Sequence, residues 1–307
     1  MKLRSLLSRA DVNTLRIEDA ANRIAIGIMP GSSATALVSE IERLGVPLDA
    51  VIYEEVEPIH FDATLRDKVR YTVGGLEISN ETDQVCTMGF NAYWGPSRVF
   101  ITASHCTNGM GGVQGDEYFQ PQDTGALEGP MTLGPWVPPG YEVGVERKDP
   151  AWTLGCDGDY LCRYSDSAIV EYYTGVGSDY GELARTTGIG SITISTTTPR
   201  WHITGEQALL ASQVAHRVGR TSGYQTGEVE DSCDDVEIGG YKVLCSVRYG
   251  VGSSSGDSGA PVFRIVSSSN VKLAGIHFAS NSTTSWFSPI SQIRQELETP
   301  LYPLTTY

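Results

Sequence analysis

The sequence predicts a mainly β protein, two antiparallel β-barrels preceded by a small α+β segment. Three observations predict it. From residue 71 onward, short β-branched runs alternate with Gly-rich turns, the pattern expected of paired barrels. Residues 1–70 contain no cysteine and carry most of the helical periodicity. Two motif-like segments, Ile101-Thr102-Ala103-Ser104-His105-Cys106 and Gly256-Asp257-Ser258-Gly259-Ala260-Pro261, fall one in each half of the strand-rich part. The expected units are residues 1–70, a first barrel over 71–195 and a second over 196–307.

Within residues 1–70, the apolar run 23–28 reads as a strand. Pro30-Gly31-Ser32-Ser33 breaks it and offers a helix N-cap. Leu37, Val38, Ile41 and Leu44 follow at helical spacing, and Gly45 ends the helix. Residues 49–56 read as a second strand. Such a β-α-β unit is small to stand alone. Beyond it, strands are expected over 99–103, leading into His105, and over 168–170, following Asp166. The alternating run 191–195 reads as another. Residues 213–223 form a strand and turn, and 241–249 and 261–265 flank the Ser258 loop. A strand over 273–278 and a terminal helix over 288–297 complete the chain. The join between barrels is expected near 182–212.

Composition narrows the partners. The formal net charge is -15 and no basic cluster is present, which argues against nucleic acid. No run of 18 apolar residues marks a membrane span. The six cysteines fall into close pairs: Cys86 with Cys106, Cys156 with Cys162, and Cys233 with Cys245. Six cysteines allow 15 connectivities. Each close pair flanks a plausible hairpin or loop, so local disulfides and an oxidising, extracellular setting are expected. The first residues are too short for a signal-peptide core, which fits an incomplete N-terminus. CxxC and His/Cys zinc spacings are absent, and neither metal nor cofactor is expected. Asn80-Glu81-Thr82 and Asn281-Ser282-Thr283 match the glycosylation sequon.

The chemistry lies in three segments. Glycines on both sides of Ser258 let the backbone turn sharply, so that successive N–H groups can face one small space. A serine hydroxyl becomes nucleophilic when a base takes its proton, and His105 is the candidate base. Asp166, at the head of an apolar run, can be fixed and partly buried behind it. The N–H groups of Gly256 and Ser258 are the candidate oxyanion donors. His60, His202 and His216 lie outside these segments and are expected to be surface or packing residues.

These residues carry a resemblance. GDSGAP, TASHC and SDSAIV together are similar to the chymotrypsin-like serine peptidases, in that family's chain order of His, Asp, Ser. His105 and Asp166 are 61 positions apart, and Asp166 and Ser258 are 92 apart. Val73-Gly74-Gly75-Leu76-Glu77-Ile78 resembles the mature start of the bacterial α-lytic and streptogrisin type. The resemblance implies a monomeric, secreted endopeptidase acting on proteins or peptides, made as a zymogen. Residues 1–70 then correspond to a pro-region released by a cut near 69–72. It also implies a Cys86–Cys106 bridge beside the histidine, and a supporting role for Asp257. The rival reading is an inactive homologue that only binds partners.

Specificity is expected from two segments. Six residues before Ser258, where trypsin-like members place an aspartate, stands Gly252, and the wall there is Ser253, Ser254 and Ser255. Gly275-Ile276-His277-Phe278-Ala279-Ser280 resembles the pocket strand of glutamyl endopeptidases. That resemblance implies that His277, with Ser255 and Ser280, binds a substrate carboxylate. The other reading is a small polar pocket with a satisfied strand histidine.

Overall fold

In the computed structural model, which describes residues 2–57, 63–122, 140–154, 156, 158–300 and 303–307, the chain divides into two compact units. They are Met1–Phe61 and Asp62–Tyr307. His60 lies outside the described residues.

In the smaller unit, the apolar run Arg23–Ile28 is the middle strand of a three-stranded sheet. It is antiparallel to Val12–Glu18 and parallel to Val51–Glu55. Parallel pairing requires a crossover, which the helix Thr35–Arg43 supplies. Its Leu37 and Ile41 are buried with Leu3, Leu6 and Ile26. Gly45 ends the helix in the left-handed region, at φ +67°, as its position predicted. The helix start differs from expectation. Ala34 occupies the cap position and no side chain caps the turn, so Ser32 and Ser33 do not perform that role. The strand Val12–Glu18 was not expected, because only Val12 is buried and the rest show no inward–outward alternation.

The larger unit holds two mainly antiparallel sheets. One has eight strands among the described residues and includes Phe90–Trp94, Ser97–Thr102, Ala168–Tyr172 and Glu142–Lys148. The other includes Tyr241–Tyr249, Gly223–Ile238, Val214–Gly219, Pro261–Ile265 and Asn270–Ser280. Val99, Ile101 and Ile169 of the first sheet share one buried cluster with Val218, Phe263 and Ile276 of the second. The terminal helix Ile290–Leu297 adds Ile290, Ile293 and Leu297 to it.

Three boundaries differ from the sequence reading. The units divide at Phe61, nine residues before the expected limit at 70. Leu65 is fully buried in the shared cluster, its N–H bonds the Ile192 carbonyl at 2.9 Å, and its carbonyl takes the Glu77 N–H at 2.8 Å. Residues 63–70 are therefore packed as part of the larger unit. Residues 191–195, expected as a strand, instead make isolated bridges, Thr193 with Thr64 and Ile194 with Thr186. Their alternation serves a short strap of chain and not a full neighbouring strand. Lastly, the sheets exchange strands across the expected 195/196 division. Thr72–Gly74 and Ser178–Ala184 pair with each other in the second sheet, whereas Leu304–Thr305 joins Phe90–Trp94 in the first.

The three local disulfides are present, Cys86–Cys106, Cys156–Cys162 and Cys233–Cys245, and no described cysteine is free. Asn80 is buried, and its amide donates to the Cys106 carbonyl at 3.3 Å, so this sequon has no room for a glycan. Asn281 is exposed.

Candidate active site

Strand register brings His105 to Asp166. Ser97–Thr102 runs antiparallel to Ala168–Tyr172, with Thr102 opposite Ala168. His105 follows the first strand in a single 3-10 turn, Ser104–Cys106, and Asp166 precedes the second. The two therefore meet at one end of the sheet. Asp166 accepts the His105 backbone N–H at 3.0 Å and lies 2.5 Å from His105 Nδ1. Its own N–H donates to Ser288 Oγ at 2.9 Å. Burial alone would raise the Asp166 pKa, but the His105 charge and hydrogen bonds, aided by Arg163, hold it below the ordinary carboxylate value. Burial would lower the His105 pKa, and the Asp166 charge and hydrogen bond outweigh that and raise it.

Ser258 sits on a tight loop pinned from several sides. Gly256 and Gly259 have φ of +94° and +86°. A Cβ at Gly259 would stand 2.3 Å from the Thr87 carbonyl oxygen, so only glycine fits this close approach. The Ser258 carbonyl accepts the Thr87 N–H at 2.8 Å, and Thr87 Oγ1 donates to the Gly256 carbonyl at 2.8 Å. The disulfide from Cys86 to Cys106 ties this neighbourhood to the histidine turn. The backbone N–H groups of Gly256 and Ser258 have no acceptor among the described residues. His105, Gly256 and Ser258 line one cavity of about 360 Å³, together with Cys86, Ser255 and Arg220. Asp257 is fully buried beneath the loop. It accepts the N–H groups of Thr221, Ser222 and Ser254 and lies 3.7 Å from Arg217.

On the other side of His105 and Asp166 is an apolar cavity of about 210 Å³, lined among others by Met110, Trp152, Tyr241 and Phe278. The hairpin stapled by Cys233–Cys245 supplies Ile238 and Val243 to its wall.

Two supporting groups were not singled out from the sequence. Arg163, 2% exposed at its side chain, donates to Asp149 at 2.7 Å, to Ser104 Oγ at 3.1 Å and to the Ser167 carbonyl at 2.9 Å. Glu296, from the terminal helix, takes Arg163 Nε at 3.3 Å and the N–H groups of Tyr164 and Ser165. The residues adjoining both His105 and Asp166 are thus held by one buried network. Its partners are far apart in sequence, and no local signal marks them. Arg217 did leave a signal, a charged residue at the inward position two after Ala215.

The serines of the expected pocket are distributed differently. His277 Nε2 lies 3.0 Å from Ser253 Oγ, which donates to Ser280 Oγ at 2.6 Å. Ser255 instead lines the cavity shared by His105 and Ser258, and its carbonyl accepts Thr221 Oγ1 at 2.8 Å. A Cβ at Gly252 would meet the Ser282 carbonyl oxygen at 2.6 Å, so a larger side chain has no space there. His202 is exposed and 2.7 Å from Glu182. His216 stacks on Tyr224 and its pKa is pushed down to about 4 by burial. No cluster of three metal-ligating side chains occurs among the described residues.

No family model and no curated protein matches this chain. Solved structures do. A Nocardiopsis protease is 18% identical, with a TM-score of 0.51 over 76% of this chain and 98% of its own. The Cellulomonas bogoriensis chymotrypsin is 19% identical, with 0.51 over 76% and 98%. A serine protease described as glutamic acid specific, with a histidine triad in substrate binding, is 21% identical, with 0.50 over 73% and 96%. The larger unit therefore has the two-barrel fold of the bacterial chymotrypsin-like serine proteases.

Proposed function

We propose that the chain is a secreted serine endopeptidase with Ser258, His105 and Asp166 as its triad. The observation that carries this reading is that His105, paired with Asp166 at 2.5 Å, lines the same cavity as Ser258 and Gly256. Ser258 Oγ attacks the scissile carbonyl as His105 takes its proton, giving a tetrahedral oxyanion and an imidazolium. Asp166 fixes the imidazole tautomer and stabilises that imidazolium. The unpartnered N–H groups of Gly256 and Ser258 are the donors for the oxyanion, worth about 3 kcal/mol each on the usual mutational scale. His105 then protonates the leaving amine, and water hydrolyses the acyl-enzyme by the same route. Three disulfides fit an oxidising, extracellular setting, and no helix among the described residues is long and apolar enough to cross a membrane.

The preferred substrate residue before the scissile bond is acidic in this reading. His277, Ser253 and Ser280 offer an imidazole and two hydroxyls to a carboxylate, and one solved neighbour is described as glutamic acid specific. The smaller unit is proposed as a removable pro-region. Labelling with an organophosphonate probe tests the central claim. Wild type is expected to label and Ser258→Ala to remain unlabelled. Equal labelling of both, or of neither, overturns the reading in favour of a binding module that has no peptidase activity.

A further inference from the structure

We propose that Tyr249 and Arg217 are positioning residues that aim His277 at the carboxylate of an acidic substrate side chain. The proposal rests on the acid-preferring reading of this pocket. The three residues come from strands Val214–Gly219, Tyr241–Tyr249 and Asn270–Ser280 of one sheet. All three are buried, with Arg217 and Tyr249 fully inaccessible. Arg217 Nη1 donates to Tyr249 Oη at 3.0 Å and to Ser285 Oγ at 3.2 Å, and Nη2 donates to the Gly252 carbonyl at 2.9 Å. Its carboxylate partner, Asp257, is 3.7 Å away and already accepts three backbone N–H groups. The guanidinium is thus a buried cation whose short bonds all go to neutral oxygens.

A guanidinium only donates. The Tyr249 oxygen therefore accepts from Arg217. Ser285 Oγ, a second neighbour of this hydroxyl, gives its proton to the Val251 carbonyl at 2.5 Å and already accepts from Arg217, which directs the Tyr249 proton to His277 Nδ1, 3.4 Å away. The ring is held neutral: burial, then the Arg217 and His105 charges, put its pKa well below the usual histidine value and outweigh the Trp286 carbonyl. A neutral imidazole that accepts at Nδ1 carries its proton on Nε2. That nitrogen faces Ser253 Oγ, whose proton in turn goes to Ser280 Oγ. Every donor in this chain, from Arg217 to Ser280, thus points the same way, out toward the serine hydroxyls. An entering carboxylate replaces the internal acceptor at Nε2–H and takes a hydroxyl proton as well. Behind it, Arg217 supplies the positive potential that a desolvated anion requires without entering the pocket.

The test compares two peptides that differ only in Glu or Gln before the scissile bond, with enzyme concentrations set by active-site titration. Tyr249→Phe removes one hydroxyl and keeps the ring. It is expected to lower the Glu-to-Gln ratio of kcat/KM by about tenfold, as loss of a bond serving a charged group does. The loss should fall mainly on KM for the Glu peptide, because that side chain does not react. A wild type that prefers Glu, with a ratio that survives Tyr249→Phe within about twofold, overturns the relay and leaves the pocket reading standing. A wild type with no preference for Glu overturns the pocket reading and the relay with it. A second measurement needs no change at Tyr249. The ring nitrogen shifts of His277 in Ser258→Ala protein, assigned by comparison with His277→Gln, are expected to show a protonated Nε2 and a bare Nδ1. A proton on Nδ1 overturns the relay.

Discussion

Replacing Arg163 with methionine removes a buried guanidinium while keeping an unbranched apolar stem. Four bonds are lost together: to Asp149 at 2.7 Å, Ser104 Oγ at 3.1 Å, the Ser167 carbonyl at 2.9 Å and Glu296 at 3.3 Å. The Asp149 side chain is fully buried, so its charge would be left without a cation. Removing one partner of such a pair costs about 3–5 kcal/mol, against a total stability on the order of 5–15 kcal/mol. Burial already raises the Asp149 pKa, with Arg163 the main opposing influence. The variant should raise it further, and its deficit should narrow as pH falls and Asp149 takes up a proton. The assay is urea unfolding at neutral and at acidic pH, in a Ser258→Ala background that removes the proposed nucleophile. Arg163→Met is expected to lose at least about 3 kcal/mol at neutral pH with an unchanged m-value, and Asp149→Asn in addition should recover part of it. A loss below about 1 kcal/mol, the range of exposed ion pairs, would refute the argument that this network is buried and mutually dependent.

Two further outcomes follow from the site and the unit boundary. The raised His105 pKa places the acidic limb of kcat/KM above the ordinary histidine value, since only the neutral ring acts as base. Asp166→Asn removes both raising influences, so a pH–rate profile should show that limb at lower pH and kcat reduced by about 10⁴. A limb that stays in place would break the link between the pair and the rate. The buried Leu65 and its bonds to Ile192 and Glu77 bind residues 63–70 into the larger unit. N-terminal sequencing of processed protein should therefore find a start at or before Ala63. A start at 69–72 with full stability would overturn that.

What was legible in the sequence follows from how far apart cooperating residues lie. The serine loop could be read because Gly256, Asp257, Ser258 and Gly259 are consecutive, and a backbone that turns this sharply leaves a local imprint. The run Val99 to Ile101 and the helix carrying Leu37 and Ile41 showed through periodicity. The Ser253 and Ser255 roles could not be separated, because three adjacent serines in an irregular loop have no fixed alternation. The boundary at Phe61 was hidden because the residues that capture Leu65 are Ile192 and Glu77, each remote from it in sequence. Glu296 supports Arg163 from 133 positions away, through a helix whose sequence shows only its apolar face.

The exchange of strands between the two sheets bears on how fast this chain can find its fold. Thr72 pairs with Ser178 and Leu304 with Trp94, so the outlying strands close loops of more than a hundred and more than two hundred residues. Each closure costs chain entropy before any contact repays it, and pairings this non-local place a β protein among the slow folders. Neither sheet can be completed from its own stretch of sequence. Partly folded chains therefore expose unpaired strand edges for longer, since each outlying strand covers one edge of a sheet and arrives from a distant part of the chain. With the proposed peptidase activity, the quantity that sets its lifetime is the rate of unfolding more than the depth of its free-energy minimum.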